Sequence, residues 1–202
     1  MHKLKTLVRH GGLAALALFA TGAAQAHPGH DTLSLVDGLT HPLAGLDHLL
    51  AMVAVGLWSA AALPPGRRLA GPAVFLAMLL VGAALPQFGL VLPGLEAGVA
   101  VSVAALGALM IAACSKQTIL PTPAGLAVIG LAAVLHGMAH GAELSPGQSF
   151  AGYAVGFMAA SAVLHGAGLA VGGWLLAGRR WAWRVLAGGV GLSGLLMLAG
   201  RL

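Results

Sequence analysis

The histidines and carboxylates of this chain fall into short blocks whose spacing suits ligation of a transition-metal ion. One block is His41-Pro-Leu-Ala-Gly-Leu-Asp47-His48, with Met52 four residues beyond His48 and so on the same face of a helix. A second is His136-Gly-Met-Ala-His140-Gly-Ala-Glu143. Its two histidines are an i,i+4 pair with Glu143 three residues further, all on one helical stripe. A third is His27-Pro-Gly-His30-Asp31, while His165 and Glu96 stand apart. Imidazole with carboxylate is a ligand set for divalent transition ions.

Each block also has a plainer reading. Asp47 binds an ion directly, orients a ligating histidine through a hydrogen bond, or bridges helices. Met52 is foremost a packing residue. His136 and His140 could hydrogen-bond between helices instead, and Glu143 could be a solvated carboxylate. His165 is either a hydrogen-bonded packing residue or a station on a path through the membrane. Glu96, close to Pro93, reads as interfacial. Cys114, the only cysteine, reads as packing and excludes an internal disulfide.

The elements that must position these residues are apolar. Of 202 residues, 59% are hydrophobic and 7% charged, where a soluble domain carries roughly 25% charged residues. The mean hydropathy is +0.95. This is the composition of a polytopic, all-α integral membrane protein lodged in a lipid bilayer. The basic residues sit at segment ends rather than in a patch, so the net charge of +5 points to no nucleic-acid partner.

Residues 1–26 read as a cleaved signal peptide. Lys3, Lys5 and Arg9 precede an apolar core, and Ala24-Gln25-Ala26 is an A-x-A cleavage site. Cleavage would expose an α-amino group beside His27. With His30 and Asp31 it would form a capture site in a short lead over 27–40, unless that lead has no fixed structure. Six apolar segments follow within 41–202, at about 43–63, 69–90, 95–114, 124–142, 149–177 and 182–200. Each is long enough for a hydrocarbon core of about 30 Å. The fifth is overlong and so is tilted, kinked or partly outside the membrane. Pro42 suits a helix N-terminus, with Thr40 or His41 as the cap. Gly188, Gly191 and Gly194 predict close backbone approach by the last span.

An exported N-terminus puts Arg67, Arg68, Lys116, Arg179, Arg180 and Arg184 in cytoplasmic loops and leaves Arg201 outside. That is a positive-inside pattern. It places both termini in the periplasm and Trp58, Trp174, Trp181 and Trp183 at the inner interface. It also brings His41, Asp47, His48, Glu96, His136, His140 and Glu143 to similar depth on the outer side, with His165 deeper.

These blocks resemble the HupE/UreJ family of bacterial nickel (and cobalt) permeases, named as hydrogenase or urease accessory proteins. The family pattern His-x5-Asp-His matches His41, Asp47 and His48, and H-x3-H-G-x-E matches His136, His140, Gly141 and Glu143. The likeness extends over the whole chain, including a signal peptide followed at once by HPGH. The nickel–cobalt transporters that use His-x4-Asp-His have eight spans, which points away from them.

The resemblance implies import of Ni2+ or Co2+ across the inner membrane, with no permanently bound cofactor. Indirect supply of hydrogenase or urease metallochaperones, and a homo-oligomer, are compatible with it. The ion would be collected by His27 and His30, dehydrated at His41, Asp47, His48, His136 and His140, and passed inward by His165, with Glu143 also counted among the metal residues. No GxxxxGK[ST] motif is present, so the chain hydrolyses no ATP. Two other readings stay open: a zinc-dependent intramembrane hydrolase with Glu143 or Asp47 as base, and a metal sensor or delivery protein that does not transport.

Overall fold

The computed structural model describes residues 30–113, 122–145 and 147–201, with side chains from residue 34 onward. The expected signal peptide over 1–26, His27, Cys114 and Lys116 lie outside the described residues, as does the His30 side chain.

Among the described residues the chain is all-helical. Its helices are α1 (His30–Ala44), α2 (Leu46–Ala62), α3 (Ala70–Ala84), α4 (Leu95–Ala113), α5 (Thr122–Ala142), α6 (Phe150–Leu176) and α7 (Arg180–Ala199). In apolar surroundings the peptide groups must bond within their own segment, which the helix alone achieves for a single span. Five stretches are long and apolar enough to cross a bilayer: Pro65–Phe88, Leu95–Ala113, Thr122–Ala142, Phe150–Leu176 and Arg180–Ala199. The sixth expected span is the α1–α2 region, which bends by 81° between Ala44 and Leu46.

That bend corrects the expected helix start. Pro42 lies inside the last turn of α1, not at the head of the next helix. A proline there removes one i→i−4 bond shortly before the helix ends, so little is lost. The break falls at Gly45, which caps α2 with extended backbone (φ −94°, ψ 118°). The polar lead is correspondingly helical from His30 onward. The overlong fifth segment is one continuous helix, α6, whose first turns carry α1 and whose middle carries α2.

Four helix pairs form the bundle: α1 with α6, α2 with α6, α3 with α5, and α4 with α7. Small residues let their backbones touch, as in membrane interfaces generally. A Cβ on Gly56 would stand 2.2 Å from the His165 carbonyl oxygen, and one on Gly168 would stand 2.3 Å from that of Val53. Gly137 and Gly141 are pressed in the same way against Leu79 and Ala83 of α3. In α7, Gly194 meets Ala104 and Gly191 meets Gly107, whereas Gly188 faces nothing within 4 Å and does not take part as expected.

The tryptophans also divide. Trp174 and Trp181 are exposed, with Arg179 stacked 4.0 Å above the Trp174 ring, as interfacial residues would be. Trp58 and Trp183 are buried. Gly125 gives the Trp58 ring a slot that no Cβ would leave open, and Trp183 Nε1 donates to the Met110 carbonyl at 3.0 Å. These two are core residues, and the expectation of four belt tryptophans is corrected to two.

Candidate metal-binding site

The α1–α2 elbow, the α3–α4 and α5–α6 connections and Arg201 all lie at one end of the bundle. Several contacts staple that end together. Gln148 donates to the Asp37 carboxylate, Ser149 N–H donates to Ser34 Oγ at 3.0 Å, and Gln87 Nε2 donates to the Gly141 carbonyl at 3.2 Å. Ser149 also caps α6, accepting from Gly152 N–H.

Within this end, His41 from α1, His48 from α2, and His136 and His140 from α5 converge. The His48 ring centroid lies 4.7 Å from that of His136 and 4.4 Å from that of His140, and His41 lies 4.8 Å from His140. Expected to share a depth, the two sequence blocks in fact share one cluster. His136 and His140 are fully buried and His48 nearly so, while His41 is part-exposed and faces outward. His140 stacks parallel on Phe157 at 5.0 Å, which fixes its plane.

Asp47 and His48 open α2. The Asp47 Oδ1 accepts from the His48 backbone N–H at 2.8 Å and from His48 Nδ1 at 2.7 Å. A negative group in the first turn is also favoured by the helix dipole. Gly45 makes this arrangement fit, since a Cβ there would crowd Asp47 Oδ1 at 3.0 Å and His48 Nδ1 at 3.1 Å. In the neutral ring, an Nδ1–H committed to Asp47 leaves Nε2 of His48 as the lone pair. That atom is buried and has no hydrogen-bond partner among the described residues, and the same holds for His136 Nδ1 and both ring nitrogens of His140. Buried polar atoms are normally paired, so unpaired imidazole nitrogens clustered at one end of the bundle are chemically suited to a soft-to-borderline cation. Among the described residues, no three His, Cys, Asp or Glu side chains stand so that they could grip one ion together as placed.

Glu143 follows the end of α5 and meets this cluster at its edge, through His41. Its carboxylate accepts from His41 Nε2 at 2.7 Å, at the rim. That hydrogen bond holds the Glu143 carboxyl below the usual carboxylate range, against the opposing effect of partial burial.

His165 is separated from the cluster. Its Nδ1 donates to the Met52 carbonyl at 2.7 Å, leaving Nε2 unpaired among the described residues. Met52 therefore takes part through its backbone, and its side chain packs in the core. The Phe75 ring stands between the two zones, 6.2 Å from His136 and 5.0 Å from His165. Beside His165 an open groove of about 270 Å3 lies between α3 and α6, with exposed Leu69, Ala73, Ala162 and Gly166 in its lining and almost wholly apolar walls such as Pro72, Leu76 and Leu169.

A protein-family model described as HupE / UreJ protein matches residues 14–197 of this chain. The chain belongs to the HupE/UreJ family. It is 40% identical over 190 residues to "Protein HupE" of Rhizobium leguminosarum bv. viciae, an alignment covering 93% of this chain and 95% of that protein. No solved structure matches.

Three participants in this HupE/UreJ chain escape a reading of motifs. Arg201 reaches back from beyond α7 to bridge Asp47 Oδ2 at 2.8 Å and Glu96 Oε2 at 3.2 Å. Sequence reading counts it only toward topology, and Glu96 is thereby drawn to the same end of the bundle. Ser102 contacts His136 at 3.0 Å. A lone serine in an apolar span is a weak signal, because such residues usually bond their own helix. Phe75 carries no sequence signal at all, since one aromatic in an apolar run reads as packing.

Proposed function

We propose that this HupE/UreJ protein is a permease that lets a divalent transition-metal ion, nickel or cobalt, enter across the bacterial inner membrane. The observation that carries the reading is the convergence of four imidazoles from α1, α2 and α5, three of them buried with unpaired ring nitrogens. Titratable and polar groups are costly inside a bilayer and are retained there for function.

In this reading the ion meets His41, Glu143 and Glu96 at the rim, with the buried Asp47 carboxylate beneath them. It exchanges water for the nitrogens of His48, His140 and His136, then passes Phe75 to His165. His27 and His30 collect it beforehand. Several neutral nitrogens and one carboxylate bind firmly enough to strip water yet release by exchange, as conduction requires. Movement inward of a divalent ion gains roughly 4.6 kcal/mol per 100 mV, twice the single-charge value. The family's name as a hydrogenase or urease accessory protein accords with supply of metal to such enzymes.

Uptake of nickel and cobalt into cells expressing the chain, at limiting metal, tests this. Asp47→Ala/His140→Ala is expected to abolish uptake while the protein still inserts. No uptake of either metal by the inserted native chain overturns the reading. Normal uptake by the double variant overturns the assigned path.

A further inference from the structure

We infer that Ser102 of α4 is a positioning residue that fixes the tautomer of His136, so that Nδ1 and not Nε2 is the nitrogen it offers to the ion. The metal part of this inference rests on the permease reading.

The argument is one of counting protons. Ser102 Oγ lies 2.7 Å from the Val99 carbonyl oxygen and 3.0 Å from His136 Nε2. A hydroxyl carries a single hydrogen, and a carbonyl oxygen can only accept. The shorter contact marks the Val99 carbonyl as the acceptor of the Ser102 O–H, which leaves Oγ to accept from His136 Nε2–H. A neutral imidazole holds one N–H, so its other nitrogen, Nδ1, is the lone pair. Nδ1 is buried without a partner among the described residues. The opposite tautomer would put two acceptors face to face unless the Ser102 hydroxyl abandoned Val99. Both residues are shut off from water, so no solvent molecule readily makes good that loss.

His48 is set the other way round. Asp47 takes its Nδ1–H and leaves Nε2 free. The two rings, 4.7 Å apart and nearly perpendicular, thus keep opposite nitrogens unpaired. Their supports differ in strength as well. A carboxylate behind an imidazole raises its basicity as a ligand, whereas a serine oxygen does so weakly. His48 is then the stronger donor and His136, the one nearer Phe75, the weaker. A falling gradient of ligand strength along the path favours release inward over retention.

The test uses the full chain in lipid nanodiscs with 15N-labelled histidine, His136 being identified by the signal lost in His136→Asn. Metal-free native protein is expected to show His136 as the Nε2–H tautomer, with Nδ1 of the unprotonated type. The Nδ1–H tautomer would overturn the inference. Ser102→Ala should mix the tautomers and lower nickel uptake at limiting metal by roughly tenfold, the lower end for loss of an orienting partner. Ser102→Thr, which keeps the hydroxyl, should restore both. Unchanged uptake in Ser102→Ala, or a loss that comes with an unchanged tautomer, would reduce Ser102 to a structural residue. If Ser102→Ala fails to fold, the native spectrum and Ser102→Thr decide. Absence of nickel uptake by the native chain would overturn the permease reading alone, and the spectrum would still judge the Ser102–His136 pair.

Discussion

Toward one end of the bundle, four imidazoles and a buried carboxylate from three helices crowd together, with ring centroids 4.4 to 6.0 Å apart. At mid-depth His165 stands alone behind Phe75, with apolar side chains on its far side. The crowded region reaches solvent at the rim, where the His41 and Glu143 side chains are part-exposed. The lone one has a single free nitrogen. Many ligands can compete with a hydration shell, and one cannot hold an ion for long. The difference assigns selection and dehydration to the first region and hand-over to the second, on the permease reading.

The largest effect is expected where both regions are broken together. Gly137 lets α5 lie on α3, and a Cβ there would stand 2.1 Å from the Leu79 carbonyl oxygen, a backbone atom that cannot step aside alone. Gly137→Val is expected to leave little monodisperse protein after detergent extraction, as read by size-exclusion chromatography. Gly188→Ala, at a site facing nothing, is expected to behave as the native chain. Normal folding of Gly137→Val would contradict the close α3–α5 packing.

A smaller and more selective effect should separate the regions. His165→Ala removes the inner nitrogen and leaves the outer cluster intact. Uptake is expected to slow by about tenfold, the rate change that corresponds to about 1.4 kcal/mol of barrier. Nickel binding to the purified protein, measured by calorimetry, should stay within about twofold of native. Equal losses in both would merge the two regions into one site.

The smallest effect concerns the rim. The Glu143 carboxyl titrates below its unfolded value because of His41. Its contribution to stability is therefore present above the unfolded value and lost as pH falls through the lowered one. Glu143→Gln is expected to flatten that acid limb of thermal stability and to change neutral-pH uptake by less than about threefold, since a half-exposed pair of this kind is worth about 1 kcal/mol or less. A native and a variant limb that coincide would show the contact to be idle.

Much of this was readable from residue order. The apolar segments, the two ligand blocks and their common depth follow from hydropathy and from even connectivity, and the structure brings the blocks into one cluster. The α1–α2 elbow did not follow. Pro42 carries the signal of a helix start, yet the chain tolerates it in a last turn and breaks at Gly45, where a side chain would crowd Asp47 and His48. Glu143 looked like a member of the His136–His140 stripe, but past the end of α5 its carboxylate is within reach of His41 instead. Ser102, Phe75 and Arg201 matter through partners distant in sequence, and no local pattern marks such pairs. His27 lies outside the described residues.

The elbow at Gly45 is braced from outside. Both arms lie on one uninterrupted rod, α6, the first seated at Gly156 and the second at Gly168. At 1.5 Å per residue those seats are about 18 Å apart along the rod. Straightening the elbow would have to slide one arm off its seat, backbone grinding on backbone. Mechanically, the triangle of α1, α2 and α6 is a truss, and a load that moves His41 at one corner is carried to the Met52–His165 joint at another.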